Sequence, residues 1–378
     1  MNDHHAGPHE AASDPGDRHT PHPLQTEQVQ SEQVQPEQGS DAPGGNGAVE
    51  SAERAQILGV ALGPALTAAC GEHLGEIEWF RSPWQRSGSA TGRSVWRENG
   101  SERRVVVKVP VGYREWFWTT RINERSAEAG EPCPVPRVMA HGLELDGYDM
   151  AWLVEERVDG RPGSARMTPD DVDRMMDAAA RFHAIAPVAT PIPDGKDGSG
   201  RGPDGPIRRD WHKLLAAARR GAEDNPIADQ DRWLRAIDAL AGDLARFTEP
   251  WEARPIDTWC HGDLHPGNLI RREAAADHAA DCMLLDLALV HAGHWIEDAL
   301  ALERLYWGRE HLLGGIDPVE RLGSARRRHG LSSDDPGGQL TRARRALMAA
   351  TSPAALSRFS DPVYLDAALG VLERSVSA

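Results

Sequence analysis

Apolar positions in this chain follow different spacings in its two halves, and the spacing sets the expected elements. A helix is expected over Ala52 to Ala69, then an extended run from Ile77 to Trp84 and a turn-rich stretch from Arg86 to Arg93. Two short extended runs, Ser94 to Arg97 and the β-branched Arg104 to Pro110, flank Glu98-Asn99-Gly100-Ser101, which predicts an antiparallel hairpin. A helix from Arg114 to Ala129 ends at the Gly130 and Pro132 punctuation, and strands follow at Val135 to His141 and Ala151 to Val158. After Asp159-Gly160 the spacing becomes helical. Thr168-Pro169-Asp170-Asp171 supplies a hydroxyl cap, a proline for the first turn and acids for the positive end of the helix dipole. Val172, Met175, Met176, Ala179, Phe182 and His183 then fall on one face, so this helix runs to about Ala186. A Gly/Pro/Asp loop from Pro187 to Pro206 leads to helices near Trp211 to Ala222 and Gln230 to Phe247. Beyond about residue 300 the chain reads as helical, with breaks at Gly314-Gly315, Pro336-Gly337-Gly338 and Pro362.

The order is that of an α+β protein with a small strand-rich half over residues 51–157 and a larger helical half over 158–378. This is the shape that places a nucleotide cleft between two lobes. Residues 1–50 are rich in Gln, Pro, Glu, Gly and His and nearly free of large apolar residues, so they cannot bury enough surface to offset ordering entropy. A disordered tail is expected there. Its histidines, His4, His5, His9, His19 and His22, read as low-complexity tail rather than a metal site.

Composition narrows the function classes. The net charge is -16, which disfavours binding to a phosphate backbone, so nucleic acid is excluded as a partner. The same balance suits either a solvated acidic surface or a cationic small molecule. Cys70, Cys133, Cys260 and Cys282 lack metal-ligand spacing and read as reduced residues of a cytoplasmic protein. The apolar stretch Ile57 to Cys70 is too short and too broken to span a membrane. The oligomeric expectation is a monomer or a homodimer. Lysine occurs at only three positions, Lys108, Lys196 and Lys213, which makes each placement worth asking about.

The most informative stretch runs from Cys260 to Ile270 and reads Cys-His-Gly-Asp-Leu-His-Pro-Gly-Asn-Leu-Ile. Asp263 and Asn268 lie on one short Pro/Gly-containing loop that leads into an apolar strand. Phosphoryl transfer needs a carboxylate to accept the proton of an attacking hydroxyl, with a neutral oxygen donor nearby to help fix a magnesium ion. Further on, Met283-Leu284-Leu285-Asp286-Leu287 sets a lone carboxylate at the end of an apolar strand, a costly placement unless a cation compensates it.

Taken together, His261-Gly262-Asp263, Asn268, Asp286, Gly293 and Asp298 resemble, in order and spacing, the catalytic segment of the aminoglycoside phosphotransferase family, relatives of the eukaryotic-type protein kinases. The resemblance covers roughly residues 80 to 310. It implies a protein-kinase-like two-lobed fold using ATP, or GTP, with Mg2+ and a small hydroxylated acceptor. By it, Asp263 is the base, Asn268 and Asp286 hold the metal, and His261 and Asp298 brace the loop. Lys108, in Val105 to Val109, is expected to reach the α- and β-phosphates, held by a glutamate of the next helix. Of Glu115, Glu124 and Glu128, the mid-helix Glu124 is the preferred partner. Backbone groups of about Glu156 to Val158 are expected to pair with the adenine edge, and Ser87 and Gly88 to belong to a phosphate loop that lacks the full glycine pattern.

Acceptors in that family include aminoglycosides and other hydroxylated antibiotics, choline, homoserine and methylthioribose. The arginines after Leu300, including Arg326-Arg327-Arg328, do not write a plain acidic pocket for a polycation. Trp295, Tyr306 and Trp307 read either as helix core or as a stacking platform. Two other readings stay open: a metallohydrolase using His261, Asp263 and His265, and a catalytically silent kinase-like binding protein.

Overall fold

Two turns whose central residues both take positive φ organise the first half. Asn99 and Gly100 (φ 52° and 74°) join β2 (Ala90–Glu98) to β3 (Ser101–Val111). Asp146 and Gly147 (φ 52° and 79°) join β4 (Val138–Leu145) to β5 (Tyr148–Glu156). Such backbone matches the right-handed twist of paired strands, which is why Asn-Gly and Asp-Gly recur in tight hairpins. With β1 (Glu78–Phe80) they form an antiparallel sheet in the order β1-β2-β3-β5-β4. The computed structural model describes residues 46–80, 90–164, 166–192, 206–274, 280–356 and 360–377, with side chains from residue 57.

One face of this sheet is closed by α1 (Asn46–Cys70): Leu62 and Leu66 pack with Val105, Val107, Val109, Trp152 and Val154. That helix begins at Asn46, so the tail expected over residues 1–50 is too long by five residues. The helix-breaking run Pro43-Gly44-Gly45 stands directly before that start. The rest of the tail lies outside the described residues. The opposite face carries Val111, Ala151 and Leu153 and meets α2 (Tyr113–Ala129). Trp118 and Ile122 of α2 pass instead into the core of the helical half, tying the two halves together.

The helical half opens with β6 (Gly160–Pro162) and α3 (Pro169–Ala189). The start of α3 is a reciprocal cap. Thr168 Oγ1 accepts from the Asp171 amide (3.2 Å), and the Asp171 carboxylate accepts from the Thr168 amide (2.9 Å). Replacing Thr168 by Ala orphans one of these donors and should cost about 1 kcal/mol of stability, read as a lower denaturant midpoint with an unchanged slope. Next come α4 (Trp211–Asp224), α5 (Gln230–Gly242) and α6 (Leu244–Glu252). The single helix expected over residues 230–247 is therefore two, divided at Asp243, whose φ of -128° is not helical.

Short strands then place the chemistry: β7 (Thr258–Cys260), β8 (Leu269–Arg272), β9 (Asp281–Leu284) and β10 (His291–Gly293). β7 pairs with β10, and β8 lies between β6 and β9. The chain continues through α7 (Ile296–Leu305), α8 (Pro318–Arg328), α9 (Gln339–Ala350) and α10 (Pro362–Ser377), which share one apolar core with α3 to α6. Among the described residues no helix is long and apolar enough to cross a membrane, and all four cysteines are free.

Candidate active site

The loop between β7 and β8 is held from behind by Asp298 in the first turn of α7. Its carboxylate accepts from the His261 amide (2.8 Å) and the Gly262 amide (2.9 Å) and also bonds His183 Nε2 at 2.9 Å. Arg326 donates to His183 Nδ1 (3.0 Å), so the histidine accepts on one nitrogen and donates its Nε2 hydrogen to Asp298. Asp298 and His183 are both sealed from solvent. Burial pushes the Asp298 carboxyl up, yet the hydrogen bonds from His183 and Gly262 outweigh it and hold the group below the ordinary aspartate value. Burial likewise holds His183 below the ordinary histidine value, in keeping with a neutral ring.

Gly262 is the turning point of this loop. Its φ is +83°, and a Cβ there would stand 2.2 Å from the Leu289 carbonyl oxygen, which is fixed backbone. A side chain is thus excluded twice, by dihedral and by space. Gly262→Ala should displace the loop and lower stability by about 2 kcal/mol or more, measured by equilibrium unfolding.

Two residues after His261, the Asp263 side chain is buried and aimed at Asn268. Asn268 Nδ2 donates to the Asp263 Oδ2 (2.9 Å) and to the Asp263 carbonyl (3.1 Å), which leaves the amide oxygen of Asn268 for another partner. His265 Nδ1 accepts from the Gly267 amide (2.9 Å), while its Nε2 lies 3.5 Å from the Asp263 carboxylate. Asp286 reaches the same place through strand register. Leu269 pairs with Leu284, and the Leu285 amide donates to the Asn268 carbonyl (2.9 Å), so Asn268 and Asp286 end adjacent antiparallel strands side by side. His261 Nε2 donates to the Leu285 carbonyl (3.0 Å) and locks the loop to this strand end. Asp286 itself is left-handed (φ 59°, ψ 72°), turning the chain immediately after β9.

An amide oxygen and a carboxylate at adjoining strand ends form a donor set of hard oxygens. These residues fit a small divalent cation such as Mg2+, whereas a soft or borderline metal would call for nitrogen or sulfur. His261 does not offer that alternative. Both nitrogens of His261 are committed to backbone, at the Asp263 amide (3.3 Å) and the Leu285 carbonyl (3.0 Å). Behind the loop, Cys260, His291 and Glu297 also converge, but as a hydrogen-bonded network. Cys260 Sγ donates to the His294 carbonyl (3.3 Å), burial keeps its thiol protonated, and Glu297 is engaged by Arg254 (3.0 Å).

Lys108 projects from β3 and meets two carboxylates, Glu115 and Glu155, each at 3.0 Å. The expected partner Glu124 is not there. It pairs with Arg121 (3.0 Å) on an outer surface and is about half exposed. The reason is helical phase. Nine residues separate Glu115 from Glu124, and at roughly 100° per residue that places them on opposite faces of α2. Burial opposes the charge on Lys108, but the two carboxylates outweigh it and raise its pKa.

Glu156 ends β5, and its amide already donates to the Arg137 carbonyl (2.7 Å). The next amide, of Arg157, donates to the Arg104 carbonyl (2.8 Å). A base lying along residues 156–158 would therefore use their carbonyls or the amide of Val158. Ser87 and Gly88 lie outside the described residues. Trp295, Tyr306 and Trp307 are all buried, with Trp307 stacked on Tyr364 at 5.8 Å, so they form helix core. Tyr306 and Trp307 also border a cavity of about 930 Å³ whose rim mixes Arg246, Arg342 and Arg345 with Glu303. That rim is of mixed sign.

Sequence reasoning did not find Glu155 or the His183–Arg326 support of Asp298. His183 stood on the buried face of its helix, which was the available signal, and Glu155 stood as a charge directly after the apolar run Ala151 to Val154.

A small antiparallel sheet carrying a buried lysine, set against a helical half whose strand ends gather oxygen donors, defines a two-lobed kinase-like α+β protein. The phosphotransferase enzyme family model matches residues 85–328, and the chain belongs to that family. No curated protein matches it. Among solved structures it is similar to an aminoglycoside phosphotransferase from Alicyclobacillus acidocaldarius, at 17% identity and a TM-score of 0.45, covering 81% of this chain and 90% of that one. It is also similar to a microcompartment-associated aminopropanol kinase (16%, TM-score 0.49, 83% and 97%) and to a choline kinase from Cryptosporidium parvum (13%, TM-score 0.44, 86% and 94%).

Proposed function

We propose that this phosphotransferase moves the γ-phosphoryl group of ATP to a hydroxyl of a small molecule, in the cytoplasm, with hydroxylated antibiotics as the first acceptor class. The observation that carries the reading is the hydrogen bond from Asn268 to the Asp263 carboxylate, with Asp286 one residue beyond the Leu285 amide that bonds the Asn268 carbonyl. In this reading residues 51–157 form the nucleotide lobe and residues 158–378 the catalytic and acceptor lobe.

Each residue then has a distinct task. Asp263 accepts the proton of the acceptor hydroxyl as that oxygen attacks phosphorus, and its hydrogen bond from Asn268 keeps the carboxylate aimed. Asn268 and Asp286 would hold Mg2+, which when bound supplies charge neutralisation to the phosphates. Lys108, steadied by Glu115, orients the α- and β-phosphates, and the loop containing Ser87 and Gly88 adds backbone donors. His261 and Asp298 fix the loop without reacting. Catalysis in this arrangement comes from positioning and electrostatics.

The test is a panel of hydroxylated antibiotics and metabolite alcohols, incubated with the purified chain and ATP or GTP and read by mass. A gain of one phosphoryl group on an antibiotic supports the reading. A gain only on an alcohol such as choline or homoserine makes the protein a metabolite kinase. Nucleotide binding with no modified acceptor favours a silent binding protein.

A further inference from the structure

Lys108 is gripped by one carboxylate more than a lysine needs. Glu115 comes from α2 and suffices to hold the ammonium, yet Glu155 also bonds it at 3.0 Å and is almost completely buried, with a side chain 5% exposed. Burying a second carboxylate is costly, and here burial, with Glu115 beside it, raises its pKa above the ordinary glutamate value against the pull of Lys108, whose ammonium stays bonded to it. Such a group calls for a reason beyond holding the lysine.

Its place along the strand suggests one. In the β3–β5 register Lys108 stands opposite Leu153, Val106 opposite Glu155 and Val105 opposite Glu156. Val105 and Val107 face the α1 core, and Lys108 and Glu155 share the other face. Glu155 is thus two residues, or about 7 Å, farther along the strand than the row of Lys108, in the direction of the 156–158 segment. A nucleotide with its phosphates at Lys108 and its base along residues 156–158 must pass this carboxylate. One oxygen, Oε2, is fixed by Lys108, and an ionised carboxylate is an acceptor with no hydrogen to donate.

We propose that Glu155 is a specificity-determining residue that accepts a hydrogen bond from the exocyclic amine of adenine and rejects a base bearing a carbonyl there. This rests on the nucleotide reading given under Proposed function. The 6-amine of adenine has two hydrogens, one for a backbone carbonyl of residues 156–158 and one for Glu155. A 6-oxo purine would set an acceptor against an acceptor in a buried site, where an unmatched pair is expensive.

The experiment measures dissociation constants of ATP, GTP and inosine triphosphate with Mg2+ for the full chain and for Glu155→Gln. Inosine triphosphate has the 6-carbonyl and no 2-amine. The full chain should bind ATP roughly tenfold to a hundredfold more tightly than inosine triphosphate. In Glu155→Gln the ratio should fall to a few-fold, because an amide can turn either its oxygen or its NH2 toward the base. A purely structural role for Glu155 would weaken all three nucleotides together and leave the ratio unchanged, which overturns the assignment. Equal affinity of the unmodified chain for ATP and inosine triphosphate, or for ATP and GTP, also overturns it. Binding of no nucleotide at all instead refutes the underlying reading of the site.

Discussion

Replacing Asp263 by Asn should lower phosphoryl transfer by about two to four orders of magnitude while leaving nucleotide affinity within a few-fold. The asymmetry follows from what each neighbour touches. Asp263 receives its hydrogen bond from Asn268 and packs beside His265, and no ion pair links it to Lys108. In the proposed reading its loss removes the proton acceptor for the attacking hydroxyl, while Lys108, Asn268 and Asp286 would remain to hold the nucleotide and its cation. Asn is close to Asp in volume, so the buried position is not emptied, although the new amide must turn its oxygen toward Asn268 Nδ2. Single-turnover mass analysis together with calorimetric nucleotide titration separates the two effects. Retained transfer with lost nucleotide affinity would remove Asp263 from the role of base.

The contrast between Asp263 and Lys108 shows what a linear sequence can carry. The spacing from His261 to Asn268 is local, so one short loop fixes which groups meet, and the apolar run before Asp286 announces a strand that can pair beside it. The Asn99-Gly100 turn and the Thr168 cap were legible for the same reason. Each is decided by a few neighbouring residues with a definite dihedral or hydrogen bond. The partner of Lys108 is different. It depends on how α2 is rotated about its axis when Trp118 and Ile122 enter the helical core, and that rotation brings Glu115 rather than Glu124 to the sheet. Glu155 depends on which face of β5 it takes once that strand is paired with β3, a long-range pairing, and the strand expected from Ala151 starts three residues earlier, at Tyr148. Register, once displaced by one residue, reverses which side chains face the cleft.

Asp298→Asn should be the most damaging substitution for stability, at about 3–5 kcal/mol, because it leaves a buried constellation without its charge. The carboxylate serves the His261 amide, the Gly262 amide and His183 at once. An asparagine has one accepting oxygen, and its NH2 would face a donor. The loop carrying Asp263 would lose at least one of its two anchors, so activity should fall with stability. The pH dependence distinguishes this cause from simple loss of packing. Asp298 has a folded pKa below the ordinary 3.8, so its contribution is complete above that value and is lost as the pH falls through the folded one. His183 is also depressed, below 6.5. Between its folded pKa and 6.5 the unfolded chain binds the extra proton, so stability rises with pH across that window and levels off above it. The parent protein should therefore weaken in two stages on acidification, beginning just under pH 6.5 and again below 3.8. In Asp298→Asn the lower stage shrinks, because the Asp298 carboxylate is no longer there to be protonated, while the depressed carboxyls of Asp171, Glu297, Asp361 and Glu373 remain. The upper stage deepens, because Asp298 is the group that favours a proton on His183. Urea midpoints measured from pH 3 to pH 8 test this directly. Parallel curves for the two proteins would mean that the Asp298 charge is not what holds the loop.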